Sequence, residues 1–442
     1  MINLRVLDMS HTGIASLPSS LSILTSLKVL DLNNCERLVE LPSHIVELVH
    51  LELLDIHGSG INYLPPHIEK LIFLKRLWVS FRIGNDTQDV SFNYVMISKL
   101  SRLEDLVIDV KSPEQWTNEV LENIMKEVAM SQKFKRLKVC FSNRIVDVIE
   151  VAPRTVRILV PEATILMSYI RRSLWGVVKR IGPFRFFVGC QKSEYLQNPN
   201  FVRYRKYVKY CNGAGSNTPI LEVLAEAEGF ELVNHKDIKQ LSDFGTANMN
   251  KIQGCLIESC DAIETIMNTV GSELLTNLEQ LFLKNLPMLK SIWKEGPLQP
   301  GTLTKLTTLF LSGCRILVEV FPPGAIQQLR EIRCLKIEKC DEVEDIIPEA
   351  DAVGNLLVLP KLEELILLDM AKLSSICAIE SLEWPSLKKL KIFGCPSLCR
   401  LPFNKGNSTY LERIEAEHEW WPWEHCNGRI KRTKKGFRNY AS

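Results

Sequence analysis

The chain has 442 residues, 46% of them hydrophobic and 24% charged, and a formal net charge of +2. So even a balance supplies no global field to hold nucleic acid or an anionic membrane. A compact single core of this length would be unusually large, whereas an architecture that grows by adding units has no such limit.

From the N-terminus one pattern is written four times. Leu4-Arg5-Val6-Leu7-Asp8-Met9 is followed by Leu27-Lys28-Val29-Leu30-Asp31-Leu32, Leu51-Glu52-Leu53-Leu54-Asp55-Ile56 and Leu74-Lys75-Arg76-Leu77-Trp78-Val79. The starts lie 23, 24 and 23 residues apart, the period of a leucine-rich repeat. The first three units continue into a second apolar ladder: Ile14/Leu17/Leu21/Leu24, Leu38/Leu41/Ile45/Leu48 and Ile61/Leu64/Ile68/Leu71. A Leu-Pro pair recurs at Leu17-Pro18, Leu41-Pro42 and Leu64-Pro65.

Side chains alternate along a strand, so positions 4 and 6 of each unit turn inward and positions 3, 5 and 7 outward. Apolar residues every three or four suit a short helix or 3-10 turn that closes the coil. One unit cannot bury its leucines alone. The expected fold is α/β: a leucine-rich-repeat solenoid, a curved horseshoe with a parallel concave sheet and short helices or irregular arcs outside. Met1 lies three residues before a repeat, so the sequence predicts an open end whose core leucines cost solubility.

Four stretches divide the chain: 1–110, N-terminal repeats; 111–226, irregular repeats with helical and basic-aromatic insertions; 227–420, C-terminal repeats; and 421–442, a basic tail read as disordered. Leu103-Glu104-Asp105-Leu106 at the end of the first and Phe134-Lys135-Arg136-Leu137 within the second restore the strand core, and Arg185-Phe186-Phe187-Val188 reads as a strand. Between the first two, Pro113–Met130 reads as a helix, with Trp116, Val120, Ile124 and Val128 on one face. Later units start at Ala227, Ile252, Leu278, Leu306, Ile332, Leu362 and Leu387, with a weak last one at Leu411.

No apolar run reaches the length of a membrane span, and Met1–Ser10 carries no signal-peptide apolar segment. Thirteen cysteines, an odd count without a secretory signal, point to free thiols in a reducing compartment. On this reading the protein is cytoplasmic, with nuclear or membrane-peripheral placement open through partners. The sequons at Asn85 and Asn407 then stay idle.

Chemistry is sought and not found. Cys35, Cys260, Cys314, Cys340 and Cys395 each sit eight residues after a unit's first apolar residue, where the repeat turns out of its strand and uses Asn or Cys. No paired C-x-x-C sets with zinc spacing occur, so the thiols read as structural and no metal is expected. No P-loop is present. Asp243-Phe244-Gly245 spells a kinase magnesium motif without its companions and reads as a turn. The eight histidines are scattered and no nucleophile elbow exists, so neither an enzyme nor a cofactor is expected. Residues 171–209 hold ten Lys or Arg with interleaved aromatics, a composition that grips single-stranded nucleic acid. The plainer reading is strands with aromatic inner faces and solvated cations, and no RNA-binding signature accompanies the run. The acidic run Asp341–Asp351 reads as a solvated loop.

The form L-x-x-L-x-L-x-x-C-x-x-L-x-x-L-P, as in Leu27–Pro42, resembles the repeats of plant intracellular nucleotide-binding leucine-rich-repeat disease-resistance proteins, here of the coiled-coil class. Leu241-Ser242-Asp243-Phe244-Gly245 with Asn248-Met249, Arg185-Phe186-Phe187-Val188-Gly189 and Ser291-Ile292-Trp293-Lys294 are similar to stretches of that class. The resemblance runs to about Trp423 and does not include the family's coiled-coil and nucleotide-binding domains. Nucleotide exchange is therefore not carried over. It implies a protein-recognition module whose partner is a pathogen effector or a modified host protein, with a nucleotide-binding receptor domain as a further partner in cis or in trans. A truncated or decoy receptor that lacks signalling is the alternative, and nucleic-acid binding through the basic-aromatic middle is the alternative from another class.

The binding face follows from strand alternation. The fifth positions present Asp8, Asp31, Asp55, Trp78, Phe282, Phe310, Lys336 and Lys391, and the third and seventh add Arg76, Lys389 and Phe393. The expected face is acidic near the N-terminus, then aromatic, then basic. Trp78, Phe282 and Phe310 are the expected contact anchors.

Overall fold

The computed structural model describes residues 3–61, 63–81, 99–110, 136–141, 148–152, 155–160, 183–190, 197–214, 218–267, 275–293, 301–321, 325–347, 358–377, 382–399, 401–403 and 406–417. The Pro113–Met130 helix, the basic tail, and residues 171–182 and 191–196 of the basic-aromatic run lie outside these. Two compact units form, Met1–Gln197 and Asn198–Ser442.

In the first unit, strands β1 (Val6–Asp8), β2 (Val29–Asp31), β3 (Leu53–Ile56), β4 (Arg76–Phe81), β5 (Asp105–Val110) and β6 (Arg136–Phe141) pair in parallel, each with the next. The register puts like positions side by side: Val6 pairs Val29, Val29 pairs Leu53, and Leu53 pairs Arg76. Leu30, Leu54, Leu77 and Leu106 at the fourth position are all fully buried. Each such side chain contributes roughly 1.5–3 kcal/mol by leaving water. The second ladder folds as the sequence predicts. 3-10 turns span Ser19–Ile23, Ser43–Glu47 and Ile68–Lys70 and bury Leu21, Ile45 and Ile68. Pro18 and Pro42, fixed near φ −70° and −62°, set the entry to the first two.

The parallel order is broken once. β7 (Val148–Ala152) runs antiparallel to both β6 and β8 (Thr155–Val160), and β8 then pairs in parallel with β9 (Phe184–Val188). Only residues 153 and 154 separate β7 from β8. A parallel crossover needs a dozen residues or more, so a hairpin is the one solution.

The second unit carries β10 (Lys206–Cys211), β11 (Gly229–Val233), β12 (Gly254–Glu258), β14 (Gln280–Lys284), β16 (Thr308–Ser312), β17 (Cys334–Glu338), β19 (Glu364–Leu368), β21 (Lys389–Phe393) and β22 (Arg413–Ala416) in one parallel ladder. Short pairs close the back of the coil: β13 (Thr265–Met267) with β15 (Ser291–Trp293), and β18 (Asp345–Ile347) with β20 (Ser375–Cys377). Two small helices, α1 (Thr218–Leu224) and α2 (Thr246–Met249), belong to the same arcs.

The exit from each strand follows one rule. The eighth position is left-handed: His11, Asn34, Gly58, Asn234, Ser259, Asn285, Gly313, Lys339, Asp369 and Gly394 all have φ between 51° and 72°. Asn, Asp and Gly tolerate that conformation best. The ninth position then drops inward, burying Cys35, Ser59, His235, Cys260, Cys314, Cys340 and Cys395. The thiols donate to strand carbonyls, Cys260 to Glu258 O (3.4 Å), Cys340 to Glu338 O (3.4 Å) and Cys395 to Phe393 O (3.5 Å). Cys35, Cys260, Cys314, Cys340 and Cys395 are free thiols, and no group of His, Cys, Asp or Glu among the described residues is arranged for a metal. Asp243-Phe244-Gly245 is a turn. Leu241–Phe244 forms a 3-10 helix in which Asp243 accepts from the Gln240 backbone N–H and Phe244 is buried.

Candidate recognition face

The outward rows in the first unit begin with the three aspartates, which stand in register, Asp8 beside Asp31 and Asp31 beside Asp55. Each makes the same local bond: Asp8 Oδ1 accepts from Ser10 N–H, Asp31 from Asn33 and Asp55 from His57, all at 2.9 Å. The short side chain thus bridges the strand to the turn that leaves it, the local bond Asx residues favour. Asp8 is exposed and Asp31 half-buried, but Asp55 is only 1% exposed. Burial, with the neighbouring Asp31 charge adding to it against the His57 N–H bond, pushes the Asp55 carboxyl up to about 6. Trp78 pairs with Asp55 across the next strand and is half-buried, and Arg76 stands exposed. Trp78 Nε1 is buried without a hydrogen-bond partner among the described residues.

The fifth-position row of the second unit runs Lys209, Glu231, Leu256, Phe282, Phe310, Lys336, Ile366, Lys391 and Glu415, residue against residue. Phe282 and Phe310 meet edge to face at 6.1 Å. Lys336 lies over the Phe310 ring at 4.3 Å and Lys284 at 5.7 Å, and Lys391 lies 5.5 Å from the Phe393 ring. The face beyond Phe310 is not the basic stripe that its lysines suggest. Lys336 pairs with Glu338 (2.7 Å), Lys389 with Glu364 (3.5 Å), Lys391 with Glu415 (3.9 Å) and Arg413 with Glu415 (2.6 Å). Burial alone would raise the Glu338 carboxyl, yet the hydrogen bonds from Lys336 and Ser312 outweigh it and hold it below the usual range. Between these pairs Ile366, Leu368 and Phe393 form a half-exposed apolar centre. Alternation names all three, but Ile366 and Leu368 did not stand out because aliphatic residues carry no anchor signal of their own.

Phe282 is on the predicted face but not open to solvent: it is 7% exposed. The cause is a strap, Asn198–Arg205, that crosses the outward side of the sheet before entering β10. Phe201 packs on Phe282 edge to face at 5.7 Å, and Phe201 and Tyr204 are themselves 0% and 2% exposed. Beneath Tyr204 the third positions are Gly229 and Gly254, register partners, and a side chain on Gly254 would overlap the tyrosine ring. Tyr204 OH donates to Gln280 Oε1 (3.3 Å), and Arg203 donates to Tyr204 OH (2.8 Å) and pairs with Glu279 (2.7 Å). At the other end Asn198 N–H donates to Glu231 Oε1 (2.9 Å). Burial raises the Glu231 carboxyl, opposed by hydrogen bonds from Tyr207 and Asn198 and by Lys209 at 3.5 Å. Two aromatics of the basic-aromatic run are thus core of this face.

A strand of form L-x-x-L-x-L, a left-handed eighth residue and a buried ninth, stacked in register, define a leucine-rich-repeat protein. The leucine-rich repeat region family matches residues 1–176, and the leucine-rich repeats of plant disease resistance RPS2-like proteins match residues 236–341 and 297–405. The chain carries leucine-rich repeats, and those of its second half are similar to the repeats of plant disease-resistance proteins. A protein of Arabidopsis thaliana named for disease resistance is 25% identical over 409 residues, 89% of this chain and 28% of that protein. The TMV resistance protein N of Nicotiana glutinosa is 29% identical over 167 residues, 33% of this chain and 14% of that protein. The chain therefore spans less than a third of the length of these relatives. Among solved structures, the leucine-rich repeat domain of the type III effector XopL is similar at 18% identity and a TM-score of 0.33, over 48% of this chain and 69% of that one. No helix among the described residues is long and apolar enough to cross a membrane.

Proposed function

We propose that this chain is a protein-recognition module of plant defence that acts in the cytoplasm. Its partner is a pathogen protein or a host protein altered by one, and in a longer receptor the same rows also contact a nucleotide-binding domain. The mechanism is differential contact: a ligand favouring one arrangement of the receptor shifts a pre-existing equilibrium toward it. The observation that carries this reading is the anatomy of the β16–β21 face. Ile366, Leu368 and Phe393 form an apolar centre, Phe310 stands two strands away across Lys336, and ion pairs at Lys336, Lys389 and Arg413 surround the centre. That is the layout of a protein contact, in which a few desolvated anchors carry the energy. It is a poor layout for phosphate, since Glu338, Glu364 and Glu415 neutralise the lysines.

The test is a photoreactive residue at Ile366 to capture the partner, followed by titration of the purified partner with Phe310→Ala and Phe393→Ala. Each is expected to weaken binding about ten-fold or more, on the order of 1.4 kcal/mol, at an unchanged melting temperature. Unaltered affinity in both variants would remove this face from the reading.

A further inference from the structure

The strap that covers β11, β12 and β14 has the features of a bound ligand. It is short and crosses the outward side of the sheet. It is held by two aromatic side chains three residues apart, Phe201 and Tyr204, and by one polar anchor at each end, Asn198 on Glu231 and Arg203 on Glu279. Its internal order is a 3-10 turn over Pro199–Phe201, opened by Asn198 Oδ1 accepting from Asn200 N–H (2.9 Å), and a turn bond from Tyr204 N–H to Phe201 O (3.1 Å). The surface beneath is shaped to receive it. Gly229 and Gly254 occupy the third positions where β14, β16 and β19 carry Gln280, Thr308 and Glu364. Leu256 and Phe282, 2% and 7% exposed, supply an apolar floor, and Phe201 of the strap packs on Phe282 at 5.7 Å. Glycines paired across two adjacent strands leave a slot one aromatic ring deep, and Tyr204 fills it.

We propose that this slot is a second interaction surface, occupied in cis by Asn198–Arg205. Its partner is an extended peptide segment with two aromatic side chains three residues apart and a cation next to the second, which displaces the strap. The floor continues directly into Phe310, whose ring meets Phe282 at 6.1 Å. Displacement therefore extends the open apolar face by the two strands that carry Leu256 and Phe282. The strap sets how much of the recognition face is available, and in this the proposal rests on the protein-recognition reading above.

The probe is a synthetic peptide of residues 197–206, titrated into the full chain and into the Phe201→Ala/Tyr204→Ala variant. The peptide is expected to bind the variant at least ten-fold more tightly than the native chain, and a peptide lacking both aromatics is expected not to bind. Equal affinities for a folded variant and the native chain overturn the proposal. Should the variant not fold, hydrogen exchange on the native chain decides. The amides of Phe201 and Tyr204, bonded at 2.9 and 3.1 Å to Asn198 O and Phe201 O, are expected to exchange well ahead of those in β12 and β14. Exchange only together with those strands makes the strap ordinary core and ends the proposal. Neither readout involves a natural partner, so failure here leaves the Phe310–Phe393 reading standing, and the reverse also holds.

Discussion

The ring of Tyr204 fills the space in which a side chain on Gly254 would begin. The tyrosine has little freedom to move aside, because Gln280 and Arg203 hold its hydroxyl and the ring is buried. Gly254→Ala is therefore expected to cost about 1–3 kcal/mol by overpacking, the ordinary penalty for an added methylene in a filled site. In a Tyr204→Ala background the same change should cost far less. Urea denaturation of the two single variants and the double variant measures this coupling, and additive costs would place the strain elsewhere.

Phe282 and Phe310 are neighbours in one row with opposite expected behaviour. Phe282 is covered by the strap, so Phe282→Ala removes a packed ring and is expected to cost about 3–5 kcal/mol of stability. Phe310 is half-buried, and Phe310→Ala is expected to cost much less stability while weakening partner binding. Thermal melts paired with partner titration separate the two. A similar loss of melting temperature in both variants would make Phe310 core as well.

Asp55 withdraws stability as pH rises. Its carboxyl stands at about 6 in the fold against 3.8 for the free side chain. The folded state therefore holds its proton after the unfolded state has released it, and stability is full below about pH 4 and declines until about pH 6. The loss is on the order of 3 kcal/mol at most. Asp55→Asn keeps an oxygen for the His57 N–H and removes the charge. It is expected to raise stability at pH 7.5 and leave it nearly unchanged at pH 4. Denaturation at the two pH values checks this, and an equal effect at both would contradict it.

His235 takes the ninth position that cysteine holds in four other units of its half of the chain. Its Nδ1 accepts from the backbone N–H groups of Asp237 and Ile238, both at 3.3 Å, and Tyr210 and Phe244 pack edge-on against the ring. Burial holds the imidazole below its ordinary 6.5, against a small pull upward from Asp237. A histidine depressed in the fold contributes its stability above the free value and loses it as pH falls through the folded one. Its ring resonances in an NMR titration are expected to shift with a midpoint below pH 6.5. A midpoint at or above that value would contradict the buried, neutral assignment.

The repeat itself was readable from spacing, because strand alternation and the fourth- and sixth-position leucines obey one physical rule throughout. Strands of units as far apart as those beginning at Leu27 and Leu387, Val29–Asp31 and Lys389–Phe393, fall where the pattern puts them. The face was readable in position and less so in exposure. Phe282 lies in the outward row as expected, yet the strap that covers it comes from elsewhere in the fold. The strap had a signal in Gly229 and Gly254, but paired glycines mean a slot only once β11 and β12 are known to be in register. The charge of the C-terminal rows was misjudged for a simpler reason. Glu338, Glu364 and Glu415 obey the same alternation as Lys336, Lys389 and Lys391, and lysines counted alone give a basic face that the ion pairs abolish. The β7–β8 hairpin was hidden because the two-residue gap appears only when both strand ends are fixed.

From β11 to β22 each strand pairs with the next without a skipped residue, so the outward rows form a ruler with one mark per coil. Adjacent marks lie about 4.8 Å apart. Phe310 and Phe393 are three marks apart in neighbouring rows, roughly 14 Å along the sheet. Gain or loss of one whole coil would move the two rings by one full mark and would leave every side chain facing as before. The distance between anchors can therefore change only in steps. A lineage could retune which partner fits by copying or deleting a coil, with no new packing to invent.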